Sequence, residues 1–117
     1  MIVLSAQTKI YLSISPTDMR KGFDGLCGLV ADTLQQDPLS GALFLFTNRR
    51  RDRMKVLYWD GDGLAIWYRR LEQGTFQIPA VDMGLKTLEM RSDEFTMLLR
   101  GIDFQKIVRR KRYRLAS

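Results

Sequence analysis

Histidine is absent from this chain of 117 residues. It is the usual general base and the commonest metal ligand of proteins, and Ser–His and Cys–His nucleophile systems depend on it. Its absence argues against ordinary hydrolytic and metal-redox chemistry, although a carboxylate-only site holding Mg²⁺ stays open. From the residues we therefore expect a protein that is not an enzyme and that has no metal and no cofactor.

Cysteine and long apolar runs are also scarce. Cys27 is the single cysteine, which excludes an internal disulfide and is typical of a reducing cytosol. We expect its thiol to be buried and inert, because no histidine can activate it. No apolar run approaches the roughly 20 residues that span a bilayer, and the first residues lack the pattern of a signal peptide. These absences predict a cytoplasmic protein without a membrane partner.

Apolar residues are plentiful enough to fill a core. They make up 45% of the chain, with 10% aromatic residues, so the composition differs from that of a disordered protein. The length fits one domain. We expect a single α+β domain over residues 1–104 and a basic C-terminal extension over residues 105–117.

Acidic residues are nearly missing from two short segments that concentrate the positive charge. The net charge is +6, yet residues 49–55 alone carry +4, residues 106–114 carry +6 and the rest of the chain carries −4. Such asymmetry focuses a positive field and favours a polyanionic partner. Arginine binds phosphates and guanine edges with paired hydrogen bonds. The candidate nucleic-acid contacts are Arg49, Arg50, Arg51, Arg53, Lys55, Lys106, Arg109, Arg110, Lys111, Arg112 and Arg114.

Both basic segments also have plainer interpretations. The segment at 49–55 is typical of a hairpin loop whose charge serves solubility, and the segment at 106–114 of a solvated tail or a contact for an acidic protein. Tyr113 lies within the second segment and could stack on a base.

Hydrophobic periodicity predicts the elements. Alternation predicts a strand at 9–14, and apolar spacing of three and four residues predicts a helix at 16–35, capped by Ser15. Glycines weaken that helix by up to about 1 kcal/mol each. Further strands are predicted at 42–47, 54–59, 64–70, 75–78 and 85–90, and a helix capped by Ser92 at 93–101. The pattern indicates an α+β fold: an antiparallel sheet built on a central meander, one longer N-terminal helix and one short C-terminal helix.

The sequence Asp60-Gly61-Asp62-Gly63 resembles the start of a cation-binding loop. A calcium loop needs further oxygen ligands and a later bidentate glutamate, and Glu72 lies at the wrong spacing. We interpret the four residues as a hairpin turn whose glycines supply positive φ. A Mg²⁺ nuclease built from Asp18, Asp60, Asp62 and Glu72 is disfavoured, because their spacing does not predict convergence.

The aromatic residues around this turn leave two interpretations open. Trp59, Trp67 and Tyr68 flank it. Exposed, they could stack on bases, but their apolar neighbours favour a place in the core.

Several motifs resemble one family of proteins. They are PTDMRKGFDGL at 16–26, DPLSG at 37–41 followed by LFLF, and RMKVLYWDGDGL at 53–64 followed by WYRRLE. In order and spacing the chain is similar to the accessory protein TnpB, encoded by the second open reading frame of insertion-sequence-sixty-six elements of bacteria. The motif residues are Asp18, Arg20, Lys21, Gly22, Trp59, Asp60, Gly61, Asp62, Gly63 and Trp67.

This resemblance implies a role in transposition, a form of DNA recombination. In such elements a separate, larger transposase carries the catalytic carboxylates, so the implied partners are that transposase and other proteins of the element. Joined to the charge pattern, it predicts a non-catalytic accessory protein that binds DNA through the arginine-rich hairpin loop and the basic tail. The alternative is a protein adaptor that binds and positions the transposase without contacting DNA.

Overall fold

A computed structural model describes residues 2, 4–79 and 84–100 of the chain. The basic segment at 106–114 lies outside these residues, and so does Gly101, the expected end of the second helix. Neither helix in the described part of the chain has the length and hydropathy needed to span a lipid bilayer.

Five strands form one mixed sheet in the order β4-β3-β2-β1-β5. The strands are β1 (Ile10–Ser13), β2 (Leu43–Thr47), β3 (Arg53–Trp59), β4 (Leu64–Arg70) and β5 (Thr87–Met90). β2, β3 and β4 form an antiparallel meander, and β5 runs antiparallel to β1. β1 and β2 are parallel neighbours, so the expectation of an antiparallel sheet was wrong. A parallel pair needs a long crossover, and the chain between Ser13 and Leu43 supplies it.

The expected long helix at 16–35 is also wrong. The observed α1 covers only Phe23–Gly28 and continues as a π-helical turn, Leu29–Thr33, in which Leu34 donates its N–H to the carbonyl of Leu29 at 3.0 Å. Ser15 does not cap a helix. The N–H of Thr17 instead donates to the carbonyl of Thr47 at the end of β2, at 2.8 Å, which holds this stretch as a loop.

Smaller differences concern the later elements. Residues 75–78, expected as a strand, lie outside the sheet, and α2 spans Ser92–Leu99 with Arg91 rather than Ser92 as its N-cap. The carboxylate of Glu94 accepts the backbone N–H of Arg91 at 3.0 Å, so an acidic side chain caps the first turn of the helix. This arrangement suits the positive end of a helix dipole.

Both faces of the sheet are buried, because apolar side chains alternate to each side of β2 and β3. The first face packs against α2 and the segment after β4 through Ile10, Leu12, Leu43, Leu45, Met54, Val56, Tyr58, Phe76, Met90, Phe95 and Leu98. The second face packs against α1 and its π-helical turn through Leu26, Val30, Leu34, Ala42, Phe44, Phe46 and Leu57. Phe23 is one of the apolar residues whose spacing predicted the helix at 16–35, but its side chain is 47% exposed.

Strand direction gives the sheet two chemically different ends. β1, β2 and β4 finish, and β3 and β5 begin, at the end that carries residues 48–52; we call it the arginine end. The opposite end carries the hairpin turn at 60–63, and we call it the turn end. The acidic, glycine-rich turn at 60–63 and the arginine-rich connection at 48–52 are therefore separated by the length of β3.

Candidate nucleic-acid interface

Residues 48–52 form the arginine loop, which joins β2 to β3. The side-chain oxygen of Asn48 accepts the backbone N–H groups of Asp52 at 3.1 Å and Arg53 at 3.0 Å, and its NH₂ donates to Asp52 Oδ1 at 2.6 Å. An asparagine that bonds its own turn in this way fixes the path of a loop. The arginine loop therefore has a defined shape.

The loop is also braced from the side. Arg51 adopts a left-handed backbone conformation with φ of 59°, which is uncommon for a residue with a Cβ. Its carbonyl accepts the N–H of Phe76 at 2.7 Å, and the carbonyl of Asp52 accepts the N–H of Leu71 at 2.7 Å. The side chains of Arg49 and Arg50 are exposed, while Arg51 is half-buried.

Residues 15–22, which we call the motif segment, reach the same end because they follow the parallel strand β1. Asp18 binds Arg20 with two nearly parallel contacts, Arg20 Nε to Oδ1 at 3.1 Å and Nη2 to Oδ2 at 2.6 Å. The Arg20 side chain and its backbone N–H lower the pKa of the Asp18 carboxyl from 3.8 to about 2. Asp18 is therefore a charged partner of Arg20 at neutral pH.

A groove of about 590 Å³ separates the motif segment from the arginine loop. It is lined by Pro16, Thr17, Asp18, Met19, Asn48, Arg49, Arg50, Asp52 and Arg53. Hydrogen bonding with Asn48, together with the charges of Arg53 and Arg50, lowers the pKa of Asp52. Among the residues that the structure describes, no ion pair engages Arg49, Arg50 or Arg53. The groove thus offers guanidinium groups with donors to spare.

Lys55, another candidate contact, lies on β3 beneath the motif segment. Its ammonium donates to the carbonyls of Met19 and Lys21, both at 2.8 Å, and lies 5.0 Å from the ring centroid of Tyr68. These contacts occupy most of its donors. Lys55 therefore fixes the motif segment over the sheet, and a role in direct DNA contact stays a prediction.

The hairpin turn lies far from the groove. Asp60 donates its N–H to the carbonyl of Gly63 at 2.8 Å, and Gly61 has a φ of 83°. Asp18 lies at the arginine end, and Glu72 binds Arg70 there at 2.9 Å, so the carboxylates of the nuclease hypothesis do not converge. Over the described ranges, no three Asp, Glu or Cys side chains are grouped to hold a metal ion.

The other motif residues divide between the two faces and ends. Trp67 packs against the first face with the Arg69 guanidinium 5.0 Å from its ring centroid, and Trp59 is half-buried at the turn end. Tyr68 is 48% exposed beside Lys55. Cys27 is half-buried, and burial raises the pKa of its thiol, which disfavours the reactive thiolate.

With this geometry described, the family can be assigned. A family model described as "IS66 Orf2 like protein", TnpB_IS66, matches residues 8–109. The chain belongs to this family. The resemblance noted in the sequence is confirmed, and the IS66 Orf2-like chain is an accessory protein of transposition.

Two relatives come from Sinorhizobium fredii (strain NBRC 101917 / NGR234). The chain is 37% identical to "Uncharacterized protein y4jC" over 110 residues, covering 94% of this chain and 92% of the relative. It is 31% identical to "Uncharacterized protein y4hO" over 105 residues, covering 90% of each. No solved structure matches the chain.

Sequence reasoning identified the arginines and the motif residues but missed how they combine. The juxtaposition of the motif segment with the arginine loop depends on the parallel pairing of β1 and β2, which periodicity does not reveal. Asn48 could have been found, because asparagine before a charged tight turn is typical of this self-bonded loop. The tail candidates at 106–114 lie outside the described residues, and their role stays a prediction.

Proposed function

We propose that this IS66 Orf2-like protein binds DNA in the groove between the motif segment and the arginine loop. The observation that carries the proposal is a braced loop that sets Arg49, Arg50 and Arg53 along an open groove, with none of the three in an ion pair within the described residues. Guanidinium groups held in a fixed geometry bind phosphates with paired hydrogen bonds. The predicted basic tail adds further phosphate contacts in this proposal.

The protein acts without an active site of its own. Asp18 is neutralised by Arg20 and Glu72 by Arg70, while Asp60 and Asp62 lie at the turn end. This separation supports an accessory role beside the transposase of the element, which we propose as the protein partner. Phosphate contact positions a protein on a duplex without reading sequence, so recognition of particular DNA sequences falls to that partner.

The test compares two variants that lose the same charge. In R49Q/R50Q the groove loses two exposed cations, whereas K9Q/R91Q loses two at the turn end, where each is engaged by an acid. Binding of fluorescent duplex DNA is measured over a range of salt concentrations. We expect R49Q/R50Q to bind more weakly and the slope of log affinity against log salt to fall by about 2, since each phosphate contact contributes about 0.9.

The control variant should retain the slope of the parent protein. Equal slopes for the parent and R49Q/R50Q would rule out the groove as the contact. The alternative function is the adaptor that positions the transposase without touching DNA. Absence of DNA binding by the parent at low salt, together with capture of the purified transposase, would establish that alternative, with the groove receiving an acidic protein surface.

A further inference from the structure

β4 forms one edge of the sheet, and among the described residues its first five positions lack the usual protection of an edge. It has seven residues, whereas the other edge strand, β5, has four. Natural edge strands are kept from pairing by shortness, proline, bulges or charged side chains. The first five residues of β4, Leu-Ala-Ile-Trp-Tyr, contain no charge and no proline. Within residues 2, 4–79 and 84–100, β3 is the only strand paired with β4.

The hydrogen-bond pattern shows which backbone groups of β4 point outward. The N–H of Asp60 donates to the carbonyl of Gly63, and the N–H of Leu71 donates to the carbonyl of Asp52. These two residue pairs, one at each end of the β3–β4 ladder, are therefore hydrogen-bonded pairs. Bonded pairs recur at every second position of an antiparallel ladder. Residues 65, 67 and 69 therefore face β3. The N–H and C=O groups of Leu64, Ile66, Tyr68 and Arg70 point away from it.

We propose that β4 pairs with β4 of a second copy of this chain, antiparallel, about a two-fold axis at Ile66. The two five-stranded sheets then join edge to edge. In this register Leu64 of one copy lies opposite Tyr68 of the other, and Ala65 lies opposite Trp67. A two-fold axis makes every such contact occur twice, and outward-pointing backbone groups meet only outward-pointing ones.

The side chains are complementary in the same register. The large ring of Trp67 meets the small side chain of Ala65, and Tyr68, 48% exposed in the single chain, covers the apolar side chain of Leu64. The pair beyond the strand is Asp62 with Arg70, a carboxylate with a guanidinium. Asp62 belongs to the turn rather than to the strand, so the two opposite charges approach each other at the end of the ladder, where they attract.

A register about Ala65 also opposes an acid to Arg70, namely Asp60, but it sets Asp62 opposite Tyr68 and separates Trp67 from Ala65. Glu72 meets an acid in either register, Asp60 about Ile66 and Asp62 about Trp67, but shifting the axis to Trp67 loses the Asp62–Arg70 pair and leaves Arg70 opposite Leu64. Shifting the axis to a point between residues sets outward-pointing backbone groups against inward-pointing ones, which abolishes the ladder. The proposal also gives a function to the turn at 60–63. Its two carboxylates lie beside the arginine end of the partner copy.

The test is assembly in the absence of DNA, so its outcome is independent of the proposed DNA binding. Sedimentation equilibrium of the full chain at concentrations up to about 100 µM measures the dimer by mass action. We expect D62R and R70D each to raise the dimer dissociation constant roughly tenfold or more, because two opposite pairs become repulsive. The double variant D62R/R70D should restore dimerisation, because it exchanges the charges across the axis.

Two further variants test the backbone pairing and the register. Y68P removes an outward N–H while leaving the bonded positions toward β3 intact, and it should abolish the dimer. In a C27S background, I66C should form a covalent dimer on oxidation, while E89C on β5 should not. A parent protein that stays monomeric would overturn the proposal. So would a dimer that survives both single charge reversals and Y68P.

Discussion

Lys55 belongs to the basic segment at 49–55, which stands out in the sequence for its charge, but its contacts lie within the protein. It is half-buried, with two carbonyl partners at 2.8 Å and the Tyr68 ring beside it. Its neighbour across the β2–β3 ladder is Phe46, so the side-chain stem lies against an apolar surface. An ammonium in such a place is favoured only when its donors are satisfied. Lys55 therefore couples the motif segment to the sheet.

We predict that K55M lowers the stability of the protein. Methionine keeps the unbranched stem but removes two hydrogen bonds, one part-buried to Met19 and one exposed to Lys21, a loss of about 1 kcal/mol. The measurement is the free energy of unfolding in urea. The matched control is K21M, where the side chain is exposed and stability should change by less than about 0.5 kcal/mol. Equal stability of K55M and the parent would show that the hydrogen bonds of the Lys55 ammonium contribute nothing to the stability of the protein.

The roles of individual residues were predictable only where they depend on nearby sequence. The density of arginine at 49–53 identified the loop directly, because charge is local. The carbonyl partners of Lys55 lie 36 and 34 residues away along the chain, and no pattern around Lys55 distinguishes it from its arginine neighbours. Asp18 and Arg20 stood out by resemblance, but their mutual pairing required the turn geometry.

At the scale of elements, the strands of the meander were easier to predict than the helix. The expected strands at 54–59 and 64–70 differ from β3 and β4 by at most one residue, because apolar runs bounded by turn residues are a local signal. The pairing of β1 with β2 involves a long crossover, so local periodicity could not give its direction. The prediction of a long helix at 16–35 failed because the Thr17–Thr47 hydrogen bond and the glycines outweigh a regular apolar stripe.

Glycine in the short helical region offers a clean test of this element. Gly28 has helical φ and ψ of −60° and −43°, and a Cβ placed there meets nothing within 4 Å. We predict that G28A stabilises the protein by about 0.5–1 kcal/mol, because alanine loses less backbone entropy on folding. The measurement is the midpoint and slope of urea unfolding.

The control for that substitution is G41A. Gly41 also has open space around it, but its φ is 91°, a conformation that costs alanine about 1 kcal/mol or more. It should therefore destabilise the protein. If both variants shift stability in the same direction, conformational preference is not the cause.

At the scale of the whole molecule, charge is divided between the two ends of the sheet. The sequence predicted an uneven distribution from the two basic segments, and its predicted strand at 54–59 already placed the acidic turn and the arginine loop at opposite ends; it could not place the motif segment at the arginine end. In the proposed antiparallel dimer, each arginine end lies beside the turn of the partner. The two arginine loops then lie at opposite ends of the joined sheet, so each groove stays open to DNA.

The titration of the whole chain follows from its missing histidine and its paired acids. The pKa of Asp18 is lowered by Arg20, that of Asp52 by Asn48, and that of Asp93 by Arg91. A carboxyl whose pKa is lower in the folded state contributes stability above its unfolded pKa, near 3.8. That contribution disappears as pH falls through the folded pKa, about 2 for Asp18.

We therefore predict that the free energy of unfolding is constant between about pH 5 and 7, because the chain has no histidine to titrate there. It should fall only below about pH 4, where carboxyl groups become protonated. Urea unfolding followed by circular dichroism across this range measures it. D18N should flatten part of the decline below pH 4, because it removes the carboxyl whose pKa Arg20 lowers. A transition near pH 6 would contradict the prediction, since no side chain with an ordinary pKa in that region exists in the chain.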